Sequence, residues 1–124
     1  LENYKKNNEA RLDMKIDELS QILNGRILST GHLSKEIETI YVSDLMSDVL
    51  TYGREAQLLI TGLTNQQTVR TVEMVEIPAI CYTNGKIPGT ETIELANNKK
   101  ITLVVTDLST FQVTGKLFSA GLKG

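Results

Sequence analysis

The sequence predicts a single compact α/β domain, a mostly parallel central sheet with helices on both faces. Three apolar runs carry this reading. They begin at Gln57 (QLLIT), Ala79 (AICYT) and Ile101 (ITLVVT), 22 residues apart, and each ends in a threonine: Thr61, Thr83 and Thr106. Runs that are apolar on both faces suit parallel strands covered by helices on each side. Each run is followed by a short turn and a segment of helical period, the βα alternation that brings right-handed crossovers with it. The even spacing is not a solenoid signal, because the three segments share little beyond the threonine.

The first half reads as helix, strand, strand, helix. From Asp13, Ile16, Leu19, Ile22 and Leu23 recur at three- and four-residue steps. Asp13 is the expected N-cap, and Gly25 is expected to end the helix in the left-handed conformation. Residues 26–29 (RILS) form a short strand candidate, and a polar loop holds His32, expected at the surface. Residues 37–42 (IETIYV) are rich in β-branched and aromatic side chains and read as a strand. Ser43 or Asp44 then caps a short helix with Leu45, Met46, Val49 and Leu50 inward, closed at Gly53.

In the second half, Thr64–Gln67 and Ser109–Gln112 both fit the capping box, a hydroxyl with Gln three residues on. The inward face of the first of these helices is Val69, Val72 and Val75, and Pro78 stops it. That of the other is Phe111, Thr114, Leu117 and Phe118, with Gly121 just past its end. Asn84-Gly85 makes the turn after the middle strand, and Thr90 caps the helix carrying Ile93, Leu95 and Ala96. The domain so delimited spans 14–122 with no internal linker. Residues 1–13 are polar and read as a leader or linker; the chain opens on Leu1, and Met14 is a candidate native start.

Composition excludes several function classes. The chain has 124 residues, 13 Lys+Arg against 15 Asp+Glu, one Cys, one His and no Trp. Its length suits one domain burying roughly 65–70% of its unfolded surface. A net charge of −2 argues against a nucleic-acid partner, and four Tyr with two Phe leave little for base stacking. One Cys allows no internal disulfide, and with one His it cannot build a Cys/His zinc site. No apolar run approaches the roughly 18 residues that span a bilayer, and no signal-peptide pattern opens the chain, so no membrane role is expected and the cytoplasm is the expected compartment. Gly85-Lys86 and Gly115-Lys116 lack the remainder of a Walker A loop, and neither Gly-x-Gly-x-x-Gly nor Gly-x-Ser-x-Gly occurs. Cys81, inside an apolar run, reads as a buried small hydrophobe. No catalytic residue, metal ligand or cofactor is assigned.

Ligands of open parallel sheets dock beyond the C-terminal strand ends, where helix N-termini present free N–H groups. That edge gathers Thr61, Gly62, Thr64 and Asn65 from one loop, Thr83, Asn84 and Gly85 from the next, and Thr106, Asp107, Ser109 and Thr110 from the last. Such groups suit a phosphate or another anion; the plainer and favoured account is that they cap and turn their own helices. Ser43-Asp44-Leu45-Met46-Ser47-Asp48 sets two acids four apart. Paired carboxylates can do acid–base work or hold a divalent cation, but acids in a first turn also complement the helix dipole, the reading preferred here.

Residues 41–49 (YVSDLMSDV) resemble the tyrosine-valine-serine-aspartate-leucine-leucine-serine-aspartate-valine stretch of DRTGG domains. Leu59-Ile60-Thr61 with Asn65, Ala79-Ile80 with Asn84-Gly85-Lys86-Ile87-Pro88, and Thr106–Phe111 resemble further blocks of that family in the same order, over about residues 14–122. Two departures stand out. Residues 34–40 (SKEIETI) replace the stretch that gives the family its name, so the Asp-Arg pair and both glycines are gone, and Thr64 replaces a histidine frequent in the family. If those positions serve a ligand elsewhere, this chain binds differently or not at all.

The resemblance implies a regulatory or accessory module. Such domains occur in CBS-domain pyrophosphatases and phosphotransacetylases and alone beside iron-hydrogenase genes in anaerobic bacteria; this chain is most similar to the stand-alone group. They resemble the N-terminal domain of HPr kinase. The expectation is a non-catalytic homodimer that senses a nucleotide or phosphorylated small molecule and regulates an enzyme partner. Its expected ligand groups are Thr61, Asn65, Thr106, Ser109, Thr110, Ser43 and Asp44. The alternative is an interaction or dimerisation scaffold without a small-molecule ligand, and the third reading is a small enzyme using Asp44 and Asp48.

Overall fold

The computed structural model describes residues 14–31 and 33–124; the expected leader, the Asp13 cap and the surface position of His32 fall outside them. In chain order the elements are α1 (Ile16–Ile22), β1 (Arg26–Ser29), β2 (Ile40–Val42), α2 (Met46–Tyr52), β3 (Leu58–Thr61), α3 (Gln66–Val75), β4 (Ala79–Tyr82), α4 (Thr90–Lys99), β5 (Thr102–Val105) and α5 (Thr110–Ser119). The three apolar runs become β3, β4 and β5, and every residue of these strands is buried. The sheet order is β1-β5-β4-β3-β2, with β2, β3, β4 and β5 parallel and β1 antiparallel to β5.

Strand alternation divides the core in two. Leu58, Ile60, Ala79 and Cys81 pack with Ile16, Leu19 and Leu23 from the α1 segment and Val113 and Leu117 of α5. Leu59, Ile80, Tyr82, Leu103 and Val105 pack with Val49 of α2, Val69, Val72 and Val75 of α3, and Ala96 of α4. Helices therefore cover both faces, as the unbroken apolar runs require. Buried polar atoms are paired: the Tyr82 and Thr68 hydroxyls meet at 2.7 Å, and no buried side-chain N or O among the described residues lacks a partner. Burial pushes the Cys81 thiol up to about 12, so it stays protonated and unreactive at neutral pH.

Local chemistry explains where the observed elements depart from the expected ones. Helix α1 ends one residue early: Asn24, with φ 49°, takes the left-handed position expected of Gly25. The second strand is shorter than 37–42, because Ile37 turns into the α1–α5 core and only Ile40–Val42 pair with β3. Leu45 stands at the N-cap of α2 in extended backbone, off the helical face, and is 58% exposed. The capping box forms at Ser109, whose hydroxyl accepts the Gln112 N–H while the Gln112 side chain accepts the Ser109 N–H.

The Thr64 box does not form. Helix α3 starts one residue late, with Asn65 at the N-cap, and the Thr64 carbonyl accepts the Thr92 hydroxyl instead. Thr90 is the first helical residue of α4 rather than its cap, which is Gly89. In α5 the buried stripe runs through Val113 and Leu117. Phe111 and Phe118, expected inward, lie on the opposite side, 84% and 77% exposed. Gly121 does sit past the end of α5, at φ 101°.

Residues 38–40, which lead into β2, are tied down on both sides. The Gln57 carboxamide oxygen accepts the Glu38 and Thr39 N–H groups at 3.0 and 2.8 Å. Lys123 donates to the Glu38 carbonyl and accepts the Ile40 N–H. Thr39 is thereby held in a strand-like bridge that needs no glycine.

Removing the working cap, Ser109→Ala, is expected to lower unfolding stability by about 1 kcal/mol in urea titrations. Thr64→Ala, which removes no cap, should stay within about 0.5 kcal/mol of the parent.

Candidate functional site

Four parallel strands deliver their C-terminal ends to one edge, and the residues that follow them lie side by side there. Asp44, after β2, reaches across to the loop after β3. Its Oδ1 accepts the Thr61 hydroxyl and the Gly62 N–H, both at 2.8 Å. These two hydrogen bonds, with the nearby Lys86 ammonium, hold the Asp44 carboxyl below the usual carboxylate range despite partial desolvation. Asp44 therefore serves as an ionised clip between two loops rather than as the helix cap expected of it; Ser43 turns the chain by accepting the Leu45 N–H. Asp48 lies in the first turn of α2.

The strand-end threonines are engaged locally. Thr61 donates to Asp44 and accepts the Leu63 N–H. Thr106 has the same geometry two strands away, donating to the Leu23 carbonyl at 2.7 Å and accepting the Leu108 N–H. The Thr83 and Thr110 hydroxyls meet at 2.9 Å, joining the loops after β4 and β5. Asn84 and Gly85, with φ 63° and 69°, form a turn closed by Lys86 N–H to the Thr83 carbonyl. Positive φ at both central residues is why Asn-Gly stands here. Asn65 is exposed, and Ser109 is occupied by its capping box.

A cavity of about 240 Å³ opens at this same edge, between the start of β1 and the end of β5. Thr106, Val105 and Asp107 supply one side, Asn24 and Arg26 another, and Gly85 and Ile87 close it from the loop after β4. Of the seven expected ligand groups, the cavity gathers Thr106; Ser43, Asp44 and Thr61 cluster around the β2–β3 loops. Asn24 and Arg26 escaped sequence reasoning because β1 enters this edge by its N-terminal end. A strand antiparallel to its neighbours leaves no trace of that direction in a four-residue apolar pattern. Among the described residues no cluster of His, Cys, Asp and Glu could hold a metal ion, and no helix is long and apolar enough to cross a membrane.

The architecture is that of a mostly parallel α/β domain carrying a recess at its strand-end edge. The DRTGG domain profile matches residues 18–120, and the chain belongs to that family. Among solved structures, it superposes on the CBS and DRTGG domains of the regulatory region of Clostridium perfringens pyrophosphatase, determined in complex with the activator diadenosine tetraphosphate. The TM-score is 0.75 at 16% identity over 93% of this chain, which spans 50% of that one. No curated protein matches.

Because the Asp44 carboxyl is depressed on folding, its contribution to stability is present above the ordinary carboxylate value of 3.8 and is lost as pH falls through the lower folded value. Asp44→Asn should flatten the fall in chemical stability below pH 5 relative to the parent. An unchanged pH profile would show that the carboxylate charge is not used.

Proposed function

We propose that this chain is a non-catalytic regulatory module of the cytoplasm that takes up a small anionic ligand, a nucleotide or another phosphorylated molecule, at the C-terminal edge of its sheet and conveys occupancy to a partner enzyme. The observation that carries this reading is the cavity beside Thr106, at the edge where parallel α/β domains receive ligands. Thr106 lines the cavity, while Thr61, Asn65, Ser109, Thr110, Ser43 and Asp44 fix the neighbouring loops of the same edge. The regulatory region with the same fold, solved with its dinucleotide activator, supports the assignment. The small-enzyme reading is not preferred, since Asp44 Oδ1 is taken up by Thr61 and Gly62 and neither Asp44 nor Asp48 lines the cavity.

Thermal unfolding in the presence of AMP, ATP, diadenosine tetraphosphate and inorganic phosphate tests this reading. A ligand at a hundred times its Kd stabilises by about 2.7 kcal/mol, a Tm rise of several degrees. No shift with any of the four at millimolar concentration would overturn it.

A second reading, a dimerisation scaffold, is favoured by α5. Phe111 and Phe118 stand seven residues apart on one exposed stripe, and open space lies over Gly115 between them. Two antiparallel copies of such a stripe are self-complementary, each phenylalanine reaching the partner's vacant glycine position. Light scattering after size exclusion should report a dimer for the parent and a monomer for Phe111→Ser/Phe118→Ser. A monomeric parent at 100 µM would sink the scaffold.

A further inference from the structure

The strand-end edge is not uniform. Near β2 and β3, the groups that would attract an anion already hold one: the Gly62 N–H and Thr61 hydroxyl bind Asp44, and Lys86 lies close enough to lower its pKa. The N-terminus of α5 is closed by the Ser109–Gln112 box. The opposite end of the edge differs. Arg26 opens β1 directly across from Val105, and both line the cavity together with Asp107. Among the described residues the one side-chain ion pair is Lys99–Glu73, so Arg26 and Asp107 share this wall without neutralising each other. Gly85 lies against the Asp107 carboxylate: a Cβ there would come within 3.1 Å of Oδ1, at a φ that disfavours any side chain. The exposed Ile87 supplies an apolar wall, and Asn24, Thr106 and the edge of the core residue Val105 complete the lining.

A cation able to fork onto a phosphate, a carboxylate able to accept from sugar hydroxyls, and an exposed aliphatic side chain able to cover a flat ring form the complement of one ligand class. Resting on the edge-ligand reading above, we propose that this cavity receives a nucleoside 5′-phosphate, with Arg26 meeting the phosphate, Asp107 the ribose hydroxyls, and Ile87 the base. At about 240 Å³ the recess is smaller than a fully enclosing pocket of roughly 300–1,000 Å³, so it grips one nucleoside unit and leaves further phosphates in solvent.

Amide NMR titration of the folded chain with AMP, ribose 5-phosphate and inorganic phosphate tests the assignment. AMP should shift the Asn24, Gly85, Ile87 and Thr106 amides, and ribose 5-phosphate should bind at least tenfold more weakly for want of the base. Arg26→Gln should weaken AMP tenfold or more, and Asp107→Asn should weaken AMP while sparing inorganic phosphate; circular dichroism establishes that both variants fold. If AMP shifts gather instead at Gly62, Asn65 and Lys86 and Arg26→Gln binds like the parent, this assignment falls while the edge-ligand reading stands. Equal affinity for AMP and ribose 5-phosphate overturns the nucleoside class. No shift with AMP, ribose 5-phosphate or inorganic phosphate removes this assignment, and the thermal screen then decides the broader reading on its own.

Discussion

Burial of β3, β4 and β5 on both faces is the constraint from which the remaining structure follows. A strand with no solvent-facing side can carry almost no polar side chain, so its polar groups are driven to its ends. Helices must then cover each face, and the connections between strands and helices must collect at the two edges of the sheet. Thr61, Thr83 and Thr106 mark where this happens. Each is the first side chain past the apolar run that can hydrogen-bond, and each uses its hydroxyl to fix the loop that leads away from the strand.

The clip formed by Asp44 shows the same economy at higher charge. A carboxylate has entered the position between a strand end and the following helix where an external anion would otherwise be drawn. Thr61 and Gly62 are satisfied within the chain, and the loops after β2 and β3 are joined by a charge-assisted contact instead of by packing. Toward β1 the edge holds Arg26 and Asp107, neither in an ion pair among the described residues, and its wall is hollow. One edge thus contains both a self-sufficient half and an open half.

Much of this was legible in the sequence. The three apolar runs gave β3, β4 and β5 and the helices that must cover both of their faces. Four blocks around Tyr41, Thr61, Asn84 and Thr106 pointed to the family to which the chain belongs. What escaped was set by relations between elements. Phe111 and Phe118 fit an apolar helical stripe, but Val113 and Leu117 fit another, and only the docking of α5 on the sheet decides between them. The capping pattern at Thr64 satisfied the spacing rule yet lost to a start one residue later, where the Asn65 carbonyl meets both the N–H and the hydroxyl of Thr68. Arg26 looked like the polar start of a short strand; its place beside Asp107 depends on β1 running against β5.

That antiparallel pairing also has a consequence in time. Ser29 meets Leu103, and Arg26 meets Val105, across the greater part of the chain. The β2-to-β5 ladder can grow by adding neighbours in sequence, each closing a modest loop, whereas β1 must wait beside α1 until β5 exists. The recess between β1 and β5 therefore joins the two strands of the sheet that lie farthest apart in sequence, and forming it closes the longest loop in the sheet.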